Sequence, residues 1–455
     1  MADVQPLQGI RYNPARVDSI SSVITPPYDV ISPEEQRFYH RLSPHNIIRL
    51  ELGEEHTSDT AEDNKCTRAA GTLTEWLDKG ILFREPKPAF YVLEHRFKNE
   101  DTIRRRWGLT ARVRLRSQGP DTARPHEGVI QERIADRLNL VRACRVNLSP
   151  IMGIVDHGMG GFTSLLMSLA RAGPDISAED RDGVVHNMWV IRDEQSIRQI
   201  SAWCADKAIY IADGHHRYET GLAYQREQQA ACSNFTGEEA FNFVLMTLTG
   251  ADDPGLLALP THRLVRFIKP GTLLEFRNKL GRYFELEDIE PAGAARSETV
   301  KSWLGALAER GKRGAAMALY GLDGNRLCLL QSRDRAELQK LMPAELSQEW
   351  KNLDVGILHW AILRKMLGVD TPQREIECLE YTRDGLEAMS LVDSGKYQLA
   401  FLMNPIPISS ILAVADAGER MPPKSTYFYP KLPTGLVVHP LWDDSYSSQK
   451  PFSLP

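Results

Sequence analysis

The densest group of chemistry-bearing residues in the chain is Asp213-Gly214-His215-His216-Arg217. It follows an apolar run, Ala208 to Ala212, and precedes a stretch that reads as helix to about Gln229. The pattern predicts a buried strand that stops at a glycine turn and feeds at once into a helix. Such a turn presents backbone N–H groups at the positive end of a helix, a ready anion site. A carboxylate there, Asp213, can bind Mg²⁺ or orient a substrate hydroxyl. His215, His216 and Arg217 can hold phosphate oxygens. The plainer alternative is an aspartate cap followed by histidines on an exposed first turn. Neighbours on a helix point about 100° apart, so His215 and His216 make a poor pair for one transition metal.

Two further groups are candidates. His126-Glu127 precedes a helical stretch; a carboxylate beside a bound hydroxyl can act as general base, and a surface or capping role is the bland alternative. Lys424-Ser425-Thr426, with Lys431 close behind, shares the last three letters of a Walker A loop. Pro422-Pro423 stand where that loop needs glycines, and prolines offer no N–H to phosphates. The segment is therefore no P-loop, but its lysine and hydroxyls can still line a phosphate site. A basic run, Arg96, Lys98, Arg104, Arg105, Arg106, Arg112, Arg114 and Arg116, reads as a solvated or salt-bridged strand face, with nucleic-acid binding as the rival.

Strands and helices interleave around these residues. Ser32-Pro33-Glu34-Glu35 predicts an N-cap and a helix to about Leu42, and a second helix is expected over 59–79. Ala89 to Leu93 and Gly108 to Leu115 flank a polar turn at Asn99-Glu100-Asp101, a hairpin pattern. Later strands are expected at 151–155, 184–191, 208–212, 243–248, 256–266, 315–320, 326–330, 376–381 and 397–403. The class is α/β or α+β, multi-domain, with mixed sheets. Three segments are expected: 1–84, 85–265 and 266–455.

Composition narrows the function classes. The chain has 455 residues with 42 % hydrophobic and 25 % charged, a globular mix. A net charge of −5 argues against a globally basic nucleic-acid binder. The apolar runs are far shorter than the ~18 residues a membrane span needs, and the first residues lack a secretory core. The six cysteines show no Cys-x-x-Cys spacing. A soluble, cytoplasmic protein is expected.

The chain resembles the bacterial family catalogued as domain of unknown function 1015. The resemblance rests on Thr25-Pro26-Pro27-Tyr28-Asp29-Val30-Ile31-Ser32, Asn46 to Leu50, Arg137 to Leu140, Ser149-Pro150-Ile151 and Ala212 to Glu219. It continues through Leu259 to Arg263, Leu353-Asp354-Val355, Ile357-Leu358-His359 and Met421 to Leu432. The order His-Glu, helix, Pro-Ile plus strand, then Asp-Gly-His-His-Arg is also similar to ParB/sulfiredoxin-fold proteins, free-serine kinases among them. That resemblance implies a ParB/sulfiredoxin-like region over 85–265 and phosphate transfer from ATP or ADP to a small hydroxyl substrate, L-serine first. It implies Glu127 as base, and Asp213 as catalytic residue and Mg²⁺ ligand. By the same resemblance His215, His216 and Arg217, with Gly214 in their turn, would hold phosphate; His126, Lys424, Ser425 and Thr426 are expected beside them as nucleotide- and phosphate-binding candidates. A nucleotide-gated nucleic-acid-binding protein and a nucleotide hydrolase are the alternatives.

Overall fold

The computed structural model describes residues 3–117, 123–156, 161–232, 235–291, 296–324 and 326–442. The chain divides into two compact units. The first comprises residues up to Pro125, Val129–Leu257 and the chain from Phe428 onward. The second comprises His126–Gly128 and Ala258–Tyr427. The expected segment 1–84 thus shares a unit with most of 85–265, and residues 428–442 return to that unit.

The first unit is built on a nine-stranded mixed sheet. Its path runs Arg124–Pro125, Ala208–Asp213, Ile151–Asp156, Phe243–Gly250, Thr102–Arg114, Phe90–Asn99, Val185–Ile191 and Ile176–Glu179, with Val4–Gln5 added beside Thr102–Arg114. The Ile151–Asp156 and Phe243–Gly250 strands are parallel; the central hairpin is antiparallel. Alternation along these strands separates two faces. Val92, Leu109, Ala111, Met246, Leu248 and Ile211 pack under helices that contribute Phe162, Leu166, Ile200 and Leu222. On the other face Tyr91, Leu93, Met188, Val190 and Leu245 are covered by Leu7, Ile24, Leu436 and Val437. The C-terminal segment is therefore part of the first unit's core.

The second unit holds a six-stranded antiparallel sheet in the order Phe284–Ile289, Leu327–Ser332, Ala316–Tyr320, Leu399–Met403, His262–Val265 and Leu379–Thr382. Helices Arg296–Gly311 and Gly385–Asp393 bury Trp303, Leu307, Ala388 and Met389 against it. The mixed α/β class holds. Among the described residues no helix is long and apolar enough to cross a membrane.

Local rules place most boundaries. Ser32 and Glu35 close a capping box on the helix Pro33–Leu42. The helix expected from 59 starts instead at Lys65, because the Asn64 side chain accepts from the N–H groups of Cys66 and Thr67. The strand expected over 256–266 breaks into Leu257–Leu259 and His262–Val265 around Pro260, which has no N–H for a ladder. The one expected over 376–381 is part helix: Thr371 caps Pro372–Cys378, and the strand begins at Leu379.

Candidate functional site

In the first unit the strand Ala208–Asp213 ends at Gly214, and the 17-residue helix His215–Ala231 begins there. Gly214 has φ +92°, in the left-handed region. A Cβ there would also sit 2.9 Å from Arg217 Nε. Glycine thus lets the chain turn and lets the Arg217 guanidinium fold back over the turn. As N-cap it supplies no side chain to the helix's first N–H groups.

Arg217 Nη2 donates to Asp213 Oδ2 at 2.9 Å, and Nη1 donates to the Pro150 carbonyl. Lys431 Nζ donates to the other carboxylate oxygen, Oδ1. Burial opposes ionisation of Asp213, but Lys431 and Arg217 outweigh it and hold the carboxyl well below the usual range. His215 is buried at the start of the helix. His216 is engaged differently: its Nε2 accepts the Ile130 backbone N–H at 2.9 Å, so that nitrogen carries no proton and anchors the entry to the helix Gln131–Cys144.

Behind the turn lies a buried ionic cluster drawn from motifs far apart in the chain. Arg137 stacks over the Tyr28 ring at 4.3 Å and donates to the Glu51 carbonyl at 2.8 Å. Ser149 donates to Glu51 Oε1 at 3.0 Å. Glu51 is fully enclosed; burial raises its carboxyl, while Arg137 and Arg217 pull the other way. Glu51, Arg137, Ser149, Arg217 and Thr220 line a cavity of about 40 Å³. The Pro-Pro-Tyr-Asp, Arg137 and Ser149-Pro150 stretches are thus joined by the scaffold that holds Arg217.

The second unit gathers the other candidates. Glu127 Oε1 accepts the Lys424 N–H at 3.2 Å, and the Glu127 carbonyl accepts from Arg420 at 3.1 Å. His126 Nε2 lies 3.0 Å from Thr426 Oγ1. Lys424 has φ +59°, Ser425 is buried, and its hydroxyl donates to the Pro422 carbonyl at 2.6 Å. Ser425 also borders a cleft of about 490 Å³ with Arg263, Arg335 and Asp354. Burial pushes Asp354 up to about 7. His126, Glu127, Lys424, Ser425 and Thr426 therefore form one cluster, and Asp213, Gly214, His215, His216 and Arg217 another, each in its own unit.

As a metal site the donors fit poorly. Among the described residues no three of His, Cys, Asp and Glu are grouped to hold an ion. Asp213 is one carboxylate already shared by two cations. Mg²⁺ is commonly held by one or two carboxylates plus substrate phosphates; this turn builds no cage for it.

The basic run divides by surroundings. Arg112 and Arg114 lie over the Phe243 ring, and Arg114 pairs with Asp3 and Glu238. Arg105 lies 3.5 Å from Glu94, and Arg104 donates to the Pro254 carbonyl at 3.2 Å. Arg106 departs from the expected solvated face: it is fully buried. Sequence reasoning missed it because a run of arginines carries no signal of which one the fold will enclose. Lys431 stood in the sequence only as a neighbour of Lys424-Ser425-Thr426; its partnership with Asp213 spans 218 positions.

The chain belongs to the family described as protein of unknown function (DUF1015), which it matches over residues 4–356. No curated protein matches it. Among solved structures it is similar to a conserved hypothetical protein from Pyrococcus furiosus, at 13 % identity and TM-score 0.34, over 70 % of this chain and 91 % of that one. It is similar to a free serine kinase in complex with AMP, at 13 % identity and TM-score 0.33, over 70 % and 89 %. A third is SbnI with a C-terminal truncation from Staphylococcus aureus, at 12 % identity and TM-score 0.33, over 73 % and 87 %.

Proposed function

We propose that this DUF1015 member is a phosphotransferase that moves phosphate from ATP or ADP to a small hydroxyl substrate, with free L-serine the first candidate. The observation that carries the reading is the Asp213-Gly214 turn: a glycine-capped helix start with Arg217 and Lys431 on the Asp213 carboxylate. Phosphoryl transfer asks a protein for positioning and charge neutralisation more than for covalent chemistry. Uncapped N–H groups and two cations held by one carboxylate suit a phosphate chain, whose oxygens can replace Asp213 as partners of Lys431. Mg²⁺ would come with the nucleotide's own phosphates. The sequence resemblance to free-serine kinases supports Glu127 as the base that takes the acceptor's hydroxyl proton.

The partners that Arg104, Arg105, Arg112 and Arg114 have within the first unit count against the nucleic-acid alternative. The deciding experiment offers the full chain ATP or ADP with a panel of small hydroxyl compounds and follows phosphorylated product by mass spectrometry. Transfer to at least one acceptor is expected. Phosphate release at the same rate with and without acceptor would make the protein a hydrolase.

A further inference from the structure

Arg106 sits on the central strand Thr102–Arg114, and its side chain is enclosed without an ion partner. Its one hydrogen-bond contact among the described residues is Nη1 to the Met152 sulfur at 3.9 Å. Nε and Nη2 are buried with no partner. Those two N–H groups point in parallel along one edge of the guanidinium plane, the edge that grips a carboxylate with two hydrogen bonds. Asp253 does not fill that role; its oxygens are taken by the N–H groups of Trp107 and Gly255 and by the Thr163 hydroxyl.

Two further unpartnered buried atoms belong to the strands on either side of Arg106. His95 is its cross-strand neighbour, and His186 is the neighbour of His95 on the next strand. His186 Nε2 lies 3.0 Å from Asp180 Oδ2, and the Nδ1 atoms of His186 and His95 are 2.7 Å apart. With a neutral His186, Nε2–H donates to Asp180 Oδ2 and Nδ1 accepts from His95 Nδ1–H. That leaves His95 Nε2 a bare acceptor, fully buried and without a donor. Burial and the charge of Arg106 keep this imidazole neutral, well below its ordinary range. Thr249, whose buried hydroxyl is also unpartnered, lies on the other neighbouring strand beside Gly108. Gly108, two residues along the strand from Arg106, has no room for a side chain: a Cβ there would lie 2.7 Å from Thr247 Cγ2 and 3.5 Å from Thr249 Oγ1. Met152, which Arg106 touches, pairs with Asp213 across the sheet. Arg106 feels the Asp213 charge.

Buried polar atoms of native proteins are nearly always hydrogen-bonded. Here the orphans are complementary to one ligand: a double donor edge for an oxyanion, an acceptor for an N–H or O–H, and a hydroxyl. We propose that Arg106, His95 and Thr249 form a buried receptor for an α-amino or α-hydroxy carboxylate, with the carboxylate on Arg106 and the amine or hydroxyl on His95 Nε2. That this ligand is the phosphate acceptor rests on the reading above; the receptor itself does not.

The test is thermal melting of the full chain, as wild type, Arg106→Met and Arg106→Lys, alone and with L-serine, D-glycerate, ethanolamine or inorganic phosphate. Wild type is expected to melt a few degrees higher with L-serine or D-glycerate, and not with ethanolamine. Arg106→Met should melt no lower than wild type without ligand, because an uncompensated buried charge is gone, and should lose the ligand-induced rise. Arg106→Lys keeps the charge without the parallel donor edge, so at least a tenfold weaker response is expected. The proposal is overturned if no carboxylate raises the wild-type melting temperature, if Arg106→Met responds like wild type, or if phosphate alone gives an Arg106-dependent rise. A carboxylate response without any phosphoryl transfer would keep the receptor and remove the transferase reading.

Discussion

Replacing Asp213 by Asn tests whether this carboxylate is a piece of structure as well as of chemistry. It sits between two cations, and the side chains of Arg217, Lys431 and Asp213 are only 11 %, 12 % and 18 % exposed. The amide keeps the shape and one acceptor oxygen but leaves the guanidinium and the ammonium facing each other without a counter-charge. Removing one member of a buried ion pair costs about 3–5 kcal/mol; residual exposure and the retained acceptor put this case near 3 kcal/mol. That is a large share of the ~5–15 kcal/mol by which domains are stable. Native-state hydrogen exchange at Ala208–Asp213 and His215–Ala231 reads the local opening free energy. D213N should lower it by about that amount at pH 7. The carboxyl is depressed in the folded state, so its contribution is present above the unfolded value near 4 and is lost as pH falls through the folded one. The gap between wild type and D213N should therefore narrow only in acid. Adding Lys431→Met to D213N should restore much of the loss. Exchange rates in D213N within ~0.5 kcal/mol of wild type, or a double variant no better than the single one, would refute the argument.

Gly214→Ala forces a side chain onto φ +92° and against Arg217; a cost of ~1–3 kcal/mol and loss of nucleotide binding are expected, read by urea unfolding and calorimetry. Glu127→Gln should lower kcat by about 10²–10⁴-fold with nucleotide affinity nearly unchanged; steady-state kinetics with affinity near wild type but turnover also unchanged would remove Glu127 as base. In the second unit, Asp354 is pushed up to about 7 by burial. The folded state holds a proton that the unfolded chain gives up above pH ~4, so Asp354 costs increasing stability as pH rises from 4 to 7. Asp354→Asn should therefore stabilise by roughly 3–4 kcal/mol at pH 8 and very little at pH 4, measured by urea unfolding at both values.

Local sequence determined the Asp213 turn almost completely. An apolar run needs burial, glycine permits a positive φ, and a helix must start where the polar residues resume. The same holds for the Ser32 cap and the central hairpin, because caps, turns and alternation depend on residues a few positions apart. What acts on the turn was decided elsewhere. Lys431 reaches Asp213 because the chain's end packs Leu436 and Val437 onto the first unit's sheet. Glu51, Arg137 and Arg217 share a cluster because separate elements converge, not because of any spacing. Arg106, Arg112 and Arg114 stand on one strand face by alternation, yet Arg106 is sealed while the other two are only partly buried over Phe243. Period-2 spacing says which side chains share a face; which part of that face is covered depends on what folds over it, and only the tertiary structure decides that.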